Sequence, residues 1–177
     1  MNIGVRDLMD YTEWERQKWQ QWFQRHGEQV LKISLGGNGD GRFEQIGHWI
    51  RHIFSAEMRY VDRLSNRPLT DTGSVPTDNI DALFVLGQQS RKDLRQFVET
   101  ISETEWNTPL HFQMMKTTIT ATPKKIVTHI LIHEMRHWAQ IATICRLNNL
   151  TGEFRDFLFS PAMGGELRSE RESTTSK

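Results

Sequence analysis

The sequence predicts an all-α protein, an up-down four-helix bundle with a short irregular or hairpin insertion before the last long helix. Four long segments repeat their apolar residues every three or four positions, which is the period of an amphipathic helix. One short segment alternates apolar and polar residues, and no such pattern is strong enough to support a large sheet. A chain of 177 residues suits a single domain, in which four amphipathic stripes bury one another economically as a bundle.

The first two helices are predicted on either side of a glycine-rich loop. Helical spacing extends from about residue 5 to residue 27 without a proline. Residues 35–41 then hold four glycines, whose backbone freedom suits a turn or a mobile loop. This run does not match a phosphate-binding loop, because no strand precedes it and no Lys-Ser/Thr pair follows it. The second helix is predicted from residue 42 to about residue 66, before Pro68.

The third helix is predicted from residue 80 to about residue 101, with Asp78 or Asn79 as its N-cap. Between residues 102 and 121 the helical period is lost, and a short hairpin or extended loop is expected. The last long helix begins with Thr122 as N-cap and a proline at its first position, and it extends to about residue 148 or 149.

Composition limits the classes of function. Lys and Arg together number 22, as do Asp and Glu, so no strong field attracts nucleic acid or an anionic membrane. A single cysteine excludes an intramolecular disulfide and a multi-thiolate metal site, which fits the cytoplasm. No apolar run approaches the roughly 18 residues of a membrane span. We expect a cytoplasmic domain over residues 1–163 and a disordered tail over residues 164–177.

The last long helix carries a candidate metal-binding motif. His133 and His137 differ by about 40° around a helix and lie one turn apart, so both imidazoles can bind one ion. Glu134 falls close to the centre of the apolar stripe, where a carboxylate needs a partner. A cation bound by its neighbours would supply that partner. From this helix alone, a structural role without a metal, in which His133 and His137 are hydrogen-bonded to carboxylates, is an equally good interpretation.

The same motif has the HExxH spelling of zinc proteases, in which Glu134 would be the general base. The extended protease pattern requires glycine and histidine where this chain has Gln140 and Thr143. No strand-rich portion precedes the motif to bind a peptide by strand addition. A protease is therefore only a minor alternative.

A third ligand could come from the second helix, which contains His48 and His52 four residues apart. Three protein ligands with one open position are the arrangement of a catalytic metal site. On a helical wheel, however, both histidines lie more than about 100° from the apolar stripe of their helix, and periodicity alone places them in solvent. Either the helix has a second buried side, or the ligand is His129 or Glu57.

Together these motifs resemble the DinB/YfiT-like superfamily of four-helix-bundle metalloproteins over roughly residues 5–160. The resemblance rests on the pairing of a late His-x-x-x-His-x-x-Gln-Ile, residues 133–141, with an earlier segment. That segment reads Ile50-Arg51-His52-Ile53-Phe54-Ser55-Ala56-Glu57. In this family, one histidine of the second helix and two of the last long helix bind a divalent ion such as zinc or nickel, leaving positions open for water.

Carried over residue by residue, the resemblance implies that the metal ligands are His52, His133 and His137, with His48 and His129 in reserve. His52 is preferred to His48 because the family's histidine precedes an apolar residue and, about a turn later, an acidic one, here Glu57.

The resemblance also implies a type of chemistry. Characterised relatives include S-transferases of low-molecular-weight thiols and a thiol-dependent isomerase. We therefore expect a metal-dependent enzyme, transferase-like or hydrolase-like, that activates a thiol or water against a small-molecule substrate. Glu134 and Glu57 are candidates for supporting the ligands or for proton transfer. The alternative is a non-catalytic stress-response binding module with a structural or vestigial metal site. A homodimer is expected by resemblance alone.

Overall fold

The computed structural model describes residues 3–39, 41–152 and 155–164. This part of the chain is mostly helical, with five α-helices and one small two-stranded sheet. The helices are α1 Val5–His26, α2 Ile46–Leu64, α3 Ile80–Thr100, α4 Glu103–Asn107 and α5 Pro123–Leu147. The strands are β1 Leu110–Met114 and β2 Thr117–Ala121. Apart from Gly164, the predicted disordered tail lies outside the described residues.

The predicted caps of the two later long helices are confirmed. The side chain of Asn79 accepts a hydrogen bond from the backbone N–H of Ala82 at 2.7 Å, so Asn79 is the N-cap of α3. The Thr122 hydroxyl accepts from the backbone N–H of Lys125 at 3.2 Å, and a proline follows it at the first helical position of α5. These bonds satisfy N–H groups that a helix start leaves without an internal partner.

The second helix begins four residues later than predicted, at Ile46 rather than residue 42. Arg42 lies in a turn, and residues 44–46 pair with residues 33–35, which follow α1 in the chain. Leu35 N–H donates to the Glu44 carbonyl at 2.9 Å, and Ile46 N–H donates to the Ile33 carbonyl at 3.1 Å. The backbone groups before α2 therefore find partners outside a helix, which the apolar period could not indicate.

The insertion before α5 contains the predicted hairpin and also a short helix that we did not predict. Strands β1 and β2 are antiparallel, with Phe112 opposite Ile119. The short helix α4 starts at a capping box. The Ser102 hydroxyl accepts from the backbone N–H of Glu105 at 3.2 Å, and the Glu105 carboxylate accepts from the backbone N–H of Ser102 at 3.1 Å. This Ser-x-x-Glu signature was present in the sequence.

The four long helices contact one another through a largely aromatic core. Helix α2 packs on α3 and α5, and α1 packs on the same two helices. Trp19 of α1 stacks on Trp138 of α5 with ring centroids 5.2 Å apart, and both side chains are buried. These are contacts that a bundle requires, and its up-down arrangement stays a prediction. None of the described helices combines the length and the apolar character needed to cross a membrane.

Candidate metal centre

Three histidine side chains converge between α2 and α5. The Nε2 atom of His133 lies 3.2 Å from that of His52 and 3.0 Å from that of His137. The three potential ligand atoms all lie within 4.8 Å of one another, so this three-histidine group could hold a metal ion. His133 and His137 stand one turn apart on α5, as the sequence predicts, and His52 faces them from α2.

The spacing and the chemistry of these nitrogens fit a divalent cation. Zinc–nitrogen distances of 2.0–2.1 Å in a tetrahedral shell separate two ligand nitrogens by about 3.3 Å. The observed spacings of 3.0 and 3.2 Å are close to that value. A neutral imidazole carries one lone pair and one N–H, so three neighbouring ring nitrogens cannot all satisfy one another by hydrogen bonding. A cation among them would satisfy all three.

Gln140 fixes the orientation of one ligand. Its side-chain oxygen Oε1 lies 2.7 Å from Nδ1 of His137. An amide oxygen only accepts, so Nδ1 of His137 carries a proton, and the neutral form of this ring therefore has its lone pair on Nε2. Metal-binding histidines commonly donate their other N–H in this way, which holds the ring in place and increases its basicity. Gln140 therefore supports His137 as a ligand.

Both His52 and His133 are uncharged at neutral pH. Burial lowers the pKa of His52 to about 4, with smaller contributions from His137, Arg59 and Arg42. Burial also lowers the pKa of His133 to about 3, followed by the effect of the neighbouring histidines. A metal ligand must be deprotonated, so these shifts prepare both rings to bind a cation without first losing a proton.

The helical-wheel expectation that His48 and His52 lie in solvent is wrong, because both side chains are half-buried. Helix α2 packs against α5 as well as α3, so it has a second buried side that a single apolar stripe does not reveal. His52 lies on this second side, with its ring 5.1 Å from that of His133.

The reserve ligands are not part of the three-histidine group. His48 accepts a hydrogen bond at Nδ1 from the backbone N–H of Glu44 at 3.3 Å. Nε2 of His129 lies 3.3 Å from the hydroxyl oxygen of Tyr60. Each of these histidines thus has a partner within the described residues, and His52 is the histidine of α2 that joins the pair on α5.

The two candidate carboxylates, Glu57 and Glu134, are not part of that group either. They face two arginines in a buried charge cluster, to which each long helix contributes one residue: Arg16, Glu57, Arg91 and Glu134. Arg16 donates through Nη2 to Glu57 at 2.6 Å and to Glu134 at 2.9 Å. Arg91 donates through Nη2 to Glu57 at 3.1 Å and to Glu134 at 2.6 Å.

This cluster corrects one expectation about Glu134. Its partner is not a cation held by the neighbouring histidines but the two guanidinium groups, together with the indole N–H of Trp138 at 3.1 Å. Burial alone would raise the pKa of Glu57, but Arg16 and Arg91 lower it, so that carboxylate is ionised. A role of either glutamate in proton transfer stays a prediction.

Sequence reasoning missed both arginines, although a signal was present. Arg16 lies three residues before Trp19, and Arg91 lies three residues before Leu94, so each charge occupies the buried side of its helix. A guanidinium in that position needs an acidic partner. Two buried arginines and two acidic residues on apolar stripes could have been matched, although the sequence does not show which would meet.

A cavity of about 470 Å³ adjoins the three-histidine group and has His52 in its wall. Its other lining residues include Phe43, Arg51, Ser55 and Arg59. Ligand-binding pockets generally have volumes of about 300–1,000 Å³. The cavity is therefore large enough for a small molecule beside the candidate metal site.

Comparison with protein families agrees with this geometry. A family model described as the DinB superfamily matches residues 11–141, a span that includes all three histidines and Gln140. Proteins of this superfamily are known as metal-binding. No curated protein matches the chain.

Proposed function

The chain belongs to the DinB superfamily, and on that premise we propose that His52, His133 and His137 bind a divalent transition-metal ion, either zinc or nickel. The convergence of the three Nε2 atoms carries the proposal. Neutral imidazole nitrogen is a ligand that suits both metals. The half-burial of the rings keeps the group in reach of a solute.

We further propose that the protein is a metal-dependent enzyme acting on a small molecule, transferase-like with a low-molecular-weight thiol or hydrolase-like with water. Three protein ligands leave a coordination position open, which is typical of catalytic rather than structural zinc sites. A divalent cation held there would lower the pKa of a thiol or a water molecule and so provide a nucleophile at neutral pH.

The remaining residues of the proposal hold the ligands in place. Gln140 keeps the proton of His137 on Nδ1. Glu57 and Glu134 anchor α2 and α5, the two helices that carry the ligands, because both pair with the same two arginines. We assign these glutamates support of the site, because all four carboxylate oxygens already accept hydrogen bonds.

The metal content of the purified protein tests the first part of the proposal. The chain is produced without a metal-affinity tag, and its metal is measured by elemental analysis beside His52→Ala and the double variant His133→Ala/His137→Ala. We expect about one transition-metal ion per native chain and a large loss in both variants. His129→Ala is the matched control and should keep the metal. If the native chain binds neither its own metal nor added zinc or nickel, the proposal is wrong.

Turnover tests the second part. The metal-loaded protein is incubated with a series of low-molecular-weight thiols and an electrophile, and with ester or amide substrates for hydrolysis. We expect product formation that a chelator stops and that the same metal restores. Stoichiometric metal without turnover on any of these substrates would instead favour the non-catalytic binding module.

A further inference from the structure

We infer that the cavity beside His52 binds an anionic group of the substrate, a carboxylate or a phosphate, and that Arg59 selects for it. The inference rests on the proposed function, because it places one end of the ligand at the metal and the other end in this cavity. It adds a charge preference that the three-histidine group itself does not provide.

Among the described residues, the wall of the cavity carries more positive than negative side chains. Three arginines, Arg42, Arg51 and Arg59, line it together with two acidic residues, Glu44 and Asp71. This imbalance contrasts with the whole chain, in which 22 basic and 22 acidic residues cancel. A concave surface with excess positive charge attracts anions more strongly than a flat one, because its low-dielectric walls concentrate the field.

Two of the charged groups have defined structural partners. Arg51 donates to the carbonyl oxygens of Gly73 and Val75 at 3.1 and 3.0 Å. These neutral acceptors fix the guanidinium but leave its positive charge uncancelled. Asp71 accepts from the backbone N–H of Gly73 at 2.8 Å, so one of its oxygens is occupied by the loop.

Arg59 offers a ligand a guanidinium that no backbone carbonyl or acidic side chain of the cavity wall is seen to hold. No ion pair within the described parts of the chain involves it, and its side chain is half-exposed. It follows His52 by seven residues on α2, so both lie on the same side of the helix, with Ser55 between them. A guanidinium presents paired donors that match carboxylate and phosphate oxygens.

A pair of hydroxyl groups completes the polar lining. The Thr72 hydroxyl donates to the Ser55 hydroxyl at 2.6 Å, and both residues are buried. A bond between two hydroxyls uses only one of their two hydrogens. The other hydrogen can be donated to an acceptor in the cavity, next to the positive charge of Arg59.

Cobalt-substituted protein provides the test, because a thiolate bound to Co²⁺ gives a charge-transfer absorption band without any need for turnover. The protein is titrated with 3-mercaptopropionate and with the neutral 3-mercaptopropanol at one pH. We expect the anionic thiol to bind about tenfold more tightly, the size of one charge-assisted hydrogen bond. The preference should shrink in 0.5 M salt, which screens an accessible charge.

Two variants on α2 distinguish selection by the charge of Arg59 from a general effect of removing an arginine. In Arg59→Gln, the two thiols should bind with nearly equal affinity. Arg63→Gln is the matched control and should keep the preference, since the Arg63 guanidinium lies over the rings of Tyr60 and Phe112. Equal binding of both thiols to the native cobalt protein would overturn the anion site while leaving the metal site intact.

Inorganic phosphate tests the anion site without a metal. Phosphate should raise the melting temperature of the metal-free native protein and of Arg63→Gln, but not that of Arg59→Gln. No response in the native protein would count against the anion site. Failure to bind cobalt would instead contradict the proposed function, so the two ideas fail in different measurements.

Discussion

Helices α2 and α5 both contribute to the buried charge cluster and to the three-histidine group, and the two groups differ in whether opposite charges face each other. In the buried charge cluster, two arginines face two glutamates, and every carboxylate oxygen accepts a hydrogen bond from the protein. In the three-histidine group, the Nε2 atom of His133 lies 3.2 Å from that of His52 and 3.0 Å from that of His137, with no opposite charges facing each other among these three side chains. His133 and Glu134 are adjacent in the chain, yet they belong to different groups.

The comparison shows that burial of charge is a poor guide to a functional site. The four charged side chains of the cluster are more deeply buried than the three histidines. Their charges neutralise one another, so the cluster needs no ligand. The histidines are half-exposed, His52 and His133 are uncharged at neutral pH, and the three ring nitrogens lie close enough together to hold a metal ion. The close approach of three ring nitrogens, rather than burial, therefore distinguishes the candidate metal centre.

Removing one charge from the cluster should have the largest effect. We expect Arg16→Met to lower the free energy of unfolding by about 3–5 kcal/mol, because Glu57 and Glu134 would stay buried with one guanidinium fewer. Urea unfolding of the metal-free protein measures this. The control Arg95→Met breaks half-exposed pairs with Asp10 and Glu13 and should change stability by about 1 kcal/mol or less. Equal losses of stability in Arg16→Met and Arg95→Met would mean that the charge cluster stabilises the protein no more than the half-exposed ion pairs do.

Adding metal should stabilise the native chain next most strongly. Zinc in excess, at about 100 times its Kd, should raise the free energy of unfolding by about 2.7 kcal/mol through mass action. His133→Ala should remove this gain. The measurement is a pair of unfolding curves with zinc and with chelator. If the charge cluster and the three-histidine group are separate, Arg16→Met should keep part of the stabilisation by zinc. A stabilisation by zinc that survives in His133→Ala would contradict the ligand assignment.

Acid should destabilise the metal-free protein through the histidines. Unfolded histidines take up protons near pH 6.5, whereas burial keeps the pKa of His52 at about 4 and that of His133 at about 3. The unfolded state therefore binds more protons below pH 6.5, and stability falls as the pH falls. We expect each of the two histidines to contribute a loss of about 2 kcal/mol between pH 7 and pH 5. His52→Gln/His133→Gln should flatten this dependence in thermal unfolding, and His111→Gln on the exposed hairpin should not.

The smallest effect should come from Gln140, which contacts one ligand and not the charge cluster. Gln140→Leu should weaken zinc binding about tenfold, the lower end of the range for residues that orient a metal-binding histidine. Gln140→Glu keeps an acceptor for the N–H of His137 and should retain most of the affinity. Competition with a chromophoric chelator measures both. Unchanged affinity in Gln140→Leu would show that this hydrogen bond does not support the site.

The sequence predicted local features well because their causes are local. The start of α5 at Pro123 follows from a threonine cap and a proline within two residues, and the four-residue spacing of His133 and His137 fixes their common face. The late start of α2 depends on pairing between residues 33–35 and 44–46. Such pairing between segments leaves no periodic signal.

The site was predictable only in part for the same reason. A helical wheel located Glu134 in the interior, but its charged partners come from α1 and α3, which the wheel does not represent. His52 was selected by resemblance, since its own helix suggested solvent. The second buried side of α2 arises from packing against α5, and a single helix does not contain that information.

The buried charge cluster draws one residue from each of the four long helices, which has a consequence for how the chain assembles. An intermediate with three helices in place would bury at least one charge without its full set of partners, at a cost of several kcal/mol. Partly folded states are therefore penalised, and the unfolding transition should be sharp and cooperative. The pairing of these charges also disfavours misplaced helices during folding, because a helix docked in the wrong register would leave its charge facing apolar neighbours.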